Sequence, residues 1–171
     1  MMAPEDQLLH LCVHFGINHQ FSDPSLRAVL DLHLLAASPG LDWSTFTARA
    51  RAWRIATVTW TALSLTARFF ATAIPSPTMS ALRPGPLRRA MIKALRLDRG
   101  ILHGRAHGYS LRRGLLWLVM TDRLSSVVRF LVRAIVPEAE WLSARWGAAP
   151  GASALPLLLK HWRSLLLDRR S

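Results

Sequence analysis

Apolar residues recur through most of the chain at intervals of three and four, the spacing that gives a helix one apolar face. The first such face consists of Leu8, Leu11, Cys12 and Phe15. His10 and His14 lie on the opposite side of the same helix, one turn apart. No segment shows the sustained alternation with a period of two that predicts a strand. The pattern therefore predicts an all-α fold, an irregular multi-helix bundle without a substantial sheet.

Proline and glycine residues divide this helical pattern into segments. Pro4 predicts the start of the first helix and Gly16 its end. The Pro-rich break at residues 75–86 predicts at most one helical turn between its two proline clusters, and residues 100–110 predict a loop. We therefore expect an N-terminal helical subdomain at 1–74, the break at 75–86, and a basic C-terminal helical region at 87–171, packed on the first part as one domain.

The stretch from Ile55 to Ile74 is about as long as a membrane-spanning helix. Its apolar stripe comprises Ile55, Val58, Ala62, Leu65 and Phe69. Beside it runs a polar stripe of Thr57, Thr61, Ser64 and Arg68. A polar stripe is not expected on a lipid-facing helix, and placing Arg68 inside a bilayer would cost free energy. The pattern therefore favours a central buried helix with one polar edge over a membrane span.

Composition adds a strong positive charge. The chain has 22 Lys and Arg against 10 Asp and Glu, a formal net charge of +12, which attracts polyanions or an acidic partner. Candidate phosphate or polyanion contacts are Arg88, Arg89, Lys93 and Arg96. Because no helix-turn-helix, homeodomain or RNA-binding signature accompanies them, a solvated face or a surface for another subunit is favoured over nucleic acid.

Motifs for catalysis and metal binding are missing from the sequence. It contains neither a Walker pattern nor a G-x-G-x-x-G turn after a strand. Cys12, the only cysteine, excludes an internal disulfide, indicates a reducing cytoplasm, and is expected to be an inert core residue. His10 and His14 have a metal-binding spacing, but His19 or Asp31 could add a third ligand only by folding back. We predict no catalytic residue and no metal site.

The N-terminal third nevertheless resembles a known family. Residues 4–14, PEDQLLHLCVH, resemble the P-E-D-x-L-L-H-L-C-x-H segment of a bacterial nucleotidyltransferase-like family. Residues 26–32 are similar to that family's L-R-W-L-x-D-L, residues 41–43 to its L-D-W, and residues 141–147 to its Y-L-R-x-R-Y-G. In that family these segments form the C-terminal helical part, which follows the catalytic core.

The resemblance implies a polymerase-β-type core that is missing here. Such a core carries a Gly-Ser turn and a D-x-D carboxylate pair that holds Mg²⁺ against a nucleoside triphosphate. Neither motif occurs in this sequence. We therefore expect a truncated, helical accessory or substrate-binding portion that is inactive alone. Mg²⁺ and a nucleoside triphosphate would be needed only with a core supplied elsewhere, and the expected partner is that separate core or an acidic protein.

Four polar residues within the resemblance are candidates to face the substrate or the missing core. They are His10, His14, Arg27 and Asp31. The alternative is that they form an internal polar network between the first two helices. A different overall function also stays open, namely a stand-alone basic helical protein that binds nucleic acid or an anionic membrane surface.

Overall fold

The computed structural model describes residues 2–22, 25–103, 111–147 and 153–167. Within these ranges every regular element is a helix and there is no strand, which confirms the all-α prediction. The chain divides into two compact units, Met1–Arg123 and Leu124–Ser171. The Pro-rich stretch at 75–86 lies inside the first unit.

The first unit is built around one buried helix. Its elements are α1 (Pro4–Val13), a π-helical segment (His14–Asn18), α2 (Ser25–Ala36), α3 (Trp43–Ala52), α4 (Ala56–Phe70), α5 (Ser76–Leu82), α6 (Pro86–Ala94), α7 (Leu97–His103) and α8 (Leu111–Met120). Helix α4 packs against α1, the π-helical segment, α2, α3 and α5. Its burial confirms the prediction of a central helix.

Part of the polar edge of α4 is buried together with Thr66, whereas Arg68 on the same edge is exposed. Thr57, Thr61 and Thr66 are all inaccessible to solvent or nearly so. Thr61 Oγ1 donates to the carbonyl of Thr57 at 2.8 Å, and Thr66 Oγ1 donates to that of Ala62 at 2.9 Å. These bonds satisfy the hydroxyls inside the core. Among the described residues, no helix combines the length and the apolar character that crossing a bilayer would require.

Gly16 does not end the first helix, contrary to the sequence prediction. The chain continues through it as the π-helical segment, and Gly16 is buried. A Cβ at this position would overlap Val58 Cγ2 and lie 2.9 Å from Phe21 Cζ. Glycine is therefore needed here for the close approach of α4 rather than for a helix stop.

Two further boundaries differ from the sequence prediction. The segment between the proline clusters is α5, which has seven residues and so about two turns rather than one. Pro77 fits because it lies in the first turn of α5, where its missing N–H breaks no helical bond. Gly100 belongs to α7, anchored by buried Leu97 and Ile101, and the rest of the predicted loop, residues 104–110, lies outside the described residues.

Asp122 caps α4 from a distant part of the chain. Its Oδ2 accepts a hydrogen bond from the backbone N–H of Thr57 at 2.9 Å. Its Oδ1 accepts from Thr57 Oγ1 and pairs with Arg88 Nη1, each at 2.5 Å. The first turn of α4 has no cap from Ile55, its own preceding residue. The segment between α8 and the next helix therefore fixes the start of the central helix.

The second unit contains α9 (Leu124–Ile135), α10 (Ala139–Trp146) and α11 (Ala154–Leu167). Helix α8 ends at Met120 and α9 begins at Leu124, so Thr121, Asp122 and Arg123 interrupt the helical pattern. Helix α10 packs against α11, where Lys160 Nζ lies 4.5 Å from the ring centroid of Trp146. Trp162 Nε1 donates to the carbonyl of Ile135 at 2.6 Å, which joins α11 to the end of α9.

Candidate functional site

The inner side of α1 belongs to the core of the first unit. Leu8, Leu9 and Cys12 are almost completely buried. Burial raises the pKa of the Cys12 thiol far above its ordinary value, because a thiolate would lose its solvation there. Cys12 therefore stays a neutral thiol, and the prediction of an inert core cysteine is confirmed.

The acidic residues at the start of α1 tie it to α3. Glu5 is buried, and its Oε1 accepts a hydrogen bond from the backbone N–H of Asp42 at 2.9 Å. Arg49 Nη1 donates to Asp6 Oδ1 at 2.6 Å. Both carboxylates thus have protein partners that link α1 to α3.

Asp42 itself fixes the start of α3. Its side chain accepts hydrogen bonds from Thr45 Oγ1 at 2.6 Å and from the backbone N–H of Ser44 at 2.8 Å. The bond from the Thr45 hydroxyl, followed by those from the backbone amides of Thr45 and Ser44, lowers the pKa of the Asp42 carboxyl below its ordinary value. Asp42 is therefore the N-cap of α3.

The four polar candidates of the sequence come together on the outer side of α1 and α2. We call His10, His14, Arg27 and Asp31 the α1–α2 face. Two adjoining pockets share Leu11 and Asp31: one, of about 440 Å³, includes His10, and the other, of about 230 Å³, includes His14 and Arg27. The rings of His10 and His14 stack with their centroids 5.8 Å apart. The face thus presents a guanidinium, a carboxylate and imidazoles beside two concave surfaces.

The π-helical segment adds His19 to this face. His19 Nε2 lies 2.9 Å from His14 Nε2, and Asn18 Nδ2 lies 2.9 Å from His14 Nδ1. An amide nitrogen only donates, so His14 Nδ1 accepts the bond from Asn18, while the direction of the bond between His14 and His19 is set by the tautomers of the two rings. His14 is therefore part of a local hydrogen-bonded network, in which both of its ring nitrogens are engaged.

A third ligand beside His10 and His14 was expected only if the chain folded back. His19 does reach His14, because a π-helix brings residues five apart into register. Across the described ranges, no three His, Cys, Asp or Glu side chains form a group that could hold a metal ion. The geometry of the face suits hydrogen bonding and charge pairing with a polar partner.

The basic candidates divide into two places. Arg88 points to Asp122 and also donates to Thr57 Oγ1 at 3.0 Å, so its guanidinium helps to hold the start of α4. Arg89, Lys93 and Arg96 line a separate pocket, which also includes Arg68 from α4. The sequence placed Arg68 on the polar edge of the buried helix, but nothing in the spacing connected it with α6.

The match with known proteins covers the part of the chain that builds the α1–α2 face. Residues 1–71 match the model of a family described as uncharacterised nucleotidyltransferase. This range runs from α1 through α4, and it supports the nucleotidyltransferase-like resemblance of the N-terminal region. The resemblance at residues 141–147 lies beyond the matched range. No curated protein and no solved structure matches the chain.

Proposed function

We propose that the chain is the helical accessory portion of a nucleotidyltransferase-like protein, and that its α1–α2 face contacts the catalytic core or the acceptor substrate. Nucleotide transfer then requires a core that another polypeptide or segment supplies, with its own Mg²⁺ and nucleoside triphosphate. Because Cys12 is the only cysteine and no internal disulfide can form, we expect the chain to function in the reducing cytoplasm. The observation that carries the proposal is the gathering of His10, His14, Arg27 and Asp31 on one face within the family-matched region.

Exposed leucines beside the face support a protein partner. Leu26, Leu30 and Leu34 follow one another at intervals of four along α2, and between 40% and 59% of each side chain is exposed. The buried side of the same helix is formed by Val29, Leu32 and Ala36. An apolar ridge next to charged side chains is the composition expected of a protein–protein contact.

The sequence supports a core that acts from outside this chain. The Gly-Ser and D-x-D motifs of the polymerase-β-type core do not occur in the 171 residues. The acidic pair at Glu5 and Asp6 is engaged with Asp42 and Arg49, so it does not substitute for those carboxylates. We therefore expect purified chain to transfer no nucleotide when it is incubated with Mg²⁺ and a panel of nucleoside triphosphates. Turnover detected by mass spectrometry would contradict the proposal.

A matched pair of variants tests the role of the face. A polypeptide with the Gly-Ser and D-x-D motifs, encoded in frame or beside this chain, is produced with it, and their association is measured by calorimetry. Leu34→Asp beside the face should weaken association at least about tenfold, because a desolvated charge would enter the contact. The control is Leu102→Asp on α7, where the side chain is 56% exposed against 59% for Leu34. Equal losses in the two variants, or no association of the unmodified chains, would contradict a contact at this face.

A further inference from the structure

A small pocket lined by cations lies between α4, α6 and α7, away from the α1–α2 face. Its volume is about 200 Å³. Four basic side chains line it: Arg68 from α4, Arg89 and Lys93 from α6, and Arg96 from the bend before α7. The other lining residues are Trp60, Thr61, Ser64, Leu65, Ile92, Leu97 and Asp98. Among the described residues, the lining therefore combines four cations with one carboxylate.

A left-handed backbone turn brings these cations to one site. Arg89 and Lys93 are four residues apart, so they project from one side of α6. After Ala94 the chain turns sharply, and Arg96 has a φ of +47°, in the left-handed region that non-glycine residues rarely occupy. Such a conformation costs on the order of 1 kcal/mol and is found preferentially at binding sites. The turn places Arg96 on the same pocket as the residues of α6.

Most of the positive charge in the pocket is not neutralised by the residues that the structure describes. Arg68 Nη2 pairs with Asp98 Oδ2 at 3.2 Å. Within the described part of the chain, Lys93 and Arg96 have no ion-pair partner, and the buried Nε of Arg89 has no hydrogen-bond acceptor. A buried guanidinium nitrogen without an acceptor is costly unless a ligand supplies one. This pocket thus has the donors and the charge for a compact anion.

We propose that this pocket binds the phosphate or diphosphate group of a small molecule. Planar guanidinium groups donate paired hydrogen bonds to phosphate oxygens, and an ammonium adds a point charge beside them. The hydroxyls of Thr61 and Ser64 line the same pocket. A volume of about 200 Å³ accommodates a diphosphate but not a whole nucleotide, so the remainder of the ligand extends outward. This inference does not depend on the proposed role of the α1–α2 face.

The arrangement favours a small phosphate compound over a nucleic-acid strand. A strand is bound by cations spread along a groove that follows its backbone. Here the cations of α6 converge on one concave site, whereas Arg88 on the same helix turns away to Asp122. The basic helix is therefore not a continuous track for phosphates.

Calorimetric titration of the full chain with inorganic pyrophosphate, orthophosphate and sulfate at matched ionic strength tests the proposal. Pyrophosphate should bind at least about tenfold more tightly than sulfate, since it can engage several donors at once. Lys93→Gln, at an exposed position, should weaken pyrophosphate binding at least about fivefold. Arg83→Gln, an exposed charge outside the pocket, is the matched control and should leave binding unchanged.

The most discriminating variant is one that should bind pyrophosphate more tightly. Asp98→Asn removes the Asp98 carboxylate from the pocket and releases Arg68, so pyrophosphate should bind about threefold or more tightly. A purely structural role of these residues would not give this gain. Equal binding of sulfate and pyrophosphate, equal losses in Lys93→Gln and Arg83→Gln, or single-stranded RNA that displaces pyrophosphate and binds more tightly would each overturn the proposal.

Discussion

The two sides of α1 carry residues of the same sequence motif but have opposite surroundings. On the inner side, Leu8 and Cys12 are buried in the core, and the carboxylate of Glu5 is held by the backbone of α3. On the outer side, His10 and His14 line open pockets beside α2. The segment that carries the family resemblance therefore contains residues that are buried in the core next to residues that line open pockets, and the structure separates the two groups.

The largest effect should come from the inner side. Leu8→Ala should lower the free energy of unfolding by about 2–5 kcal/mol, because it leaves a cavity in a fully buried site. Urea denaturation of the purified chain measures this loss. Leu34→Ala, which removes the same atoms from an exposed position on α2, should change the free energy by about 0.5 kcal/mol or less. Similar losses in both variants would contradict the division of the two sides.

Gly16 marks the place where the inner side continues into the π-helical segment. Gly16→Ala should cost about 1–3 kcal/mol, because the added methyl group meets Val58 and Phe21 in the core. Gly85→Ala is the control, since a Cβ there has open space. In Gly85→Ala, alanine is a weaker helix cap than glycine, but it also makes the unfolded chain less flexible. The two effects oppose each other, so the free energy of unfolding should change by about 0.5 kcal/mol or less. Thermal unfolding monitored by circular dichroism compares the two, and an unchanged melting temperature for Gly16→Ala would refute the close approach.

The tie between α1 and α3 should have an intermediate effect. Glu5→Ala leaves the backbone N–H of Asp42 without its acceptor, which should cost about 1–3 kcal/mol in the free energy of unfolding. Glu5→Gln keeps an oxygen acceptor in the same place and should recover most of that loss. Urea denaturation of the two variants distinguishes the hydrogen bond from the charge of Glu5. Equal destabilisation by Ala and Gln would show that the charge of Glu5, whose Oε2 lies 3.9 Å from Arg49 Nη1, is the dominant contribution.

A smaller effect should appear as a dependence on pH at the start of α3. The pKa of Asp42 is lower in the folded chain than in the unfolded chain, so its ionised form favours folding. That stability is present above the unfolded pKa and is lost as the pH falls below about 4, through the folded pKa. Asp42→Asn keeps a capping oxygen but does not titrate. The stability difference between the two chains, measured by urea denaturation from pH 7 to 3, should shrink at the acidic end, and a constant difference would contradict it.

The smallest effect on stability should come from the outer side. His10→Gln replaces an exposed side chain and should change the free energy of unfolding by about 0.5 kcal/mol or less. Association with a catalytic core should nevertheless weaken if the α1–α2 face is a contact. A large loss of stability without any change in association would show that His10 stabilises the fold and does not contact the core.

Much of this division could be inferred from helical periodicity. The spacing of Leu8 and Cys12 indicated a core side, and His10 and His14 lay opposite them. Arg27 and Asp31 were candidates because they belong to the same family resemblance, and in the structure they line pockets together with these histidines. The start of α3 also depends on a local signal, because the N-cap Asp42 accepts hydrogen bonds from residues two and three positions away.

Features that depend on packing could not be inferred from the sequence. A glycine after a helical pattern usually indicates a helix end, but Gly16 is required by the closeness of Val58, a residue far away in the chain. The contact of His14 with His19 depends on the resulting π-helical geometry. Arg68 and Arg96 meet in one pocket only through the turn after α6. Each of these depends on tertiary contacts that periodicity does not encode.

The capping of α4 by Asp122 has a consequence for the order in which the protein forms. During synthesis, residues 1–71 leave the ribosome well before Asp122, so the amide of Thr57 must stay hydrated until the later segment arrives. Closure of this contact joins residues 65 positions apart, and such long loops slow folding. The region recognised by family comparison is therefore shorter than the segment that must be complete before its own central helix is fully bonded.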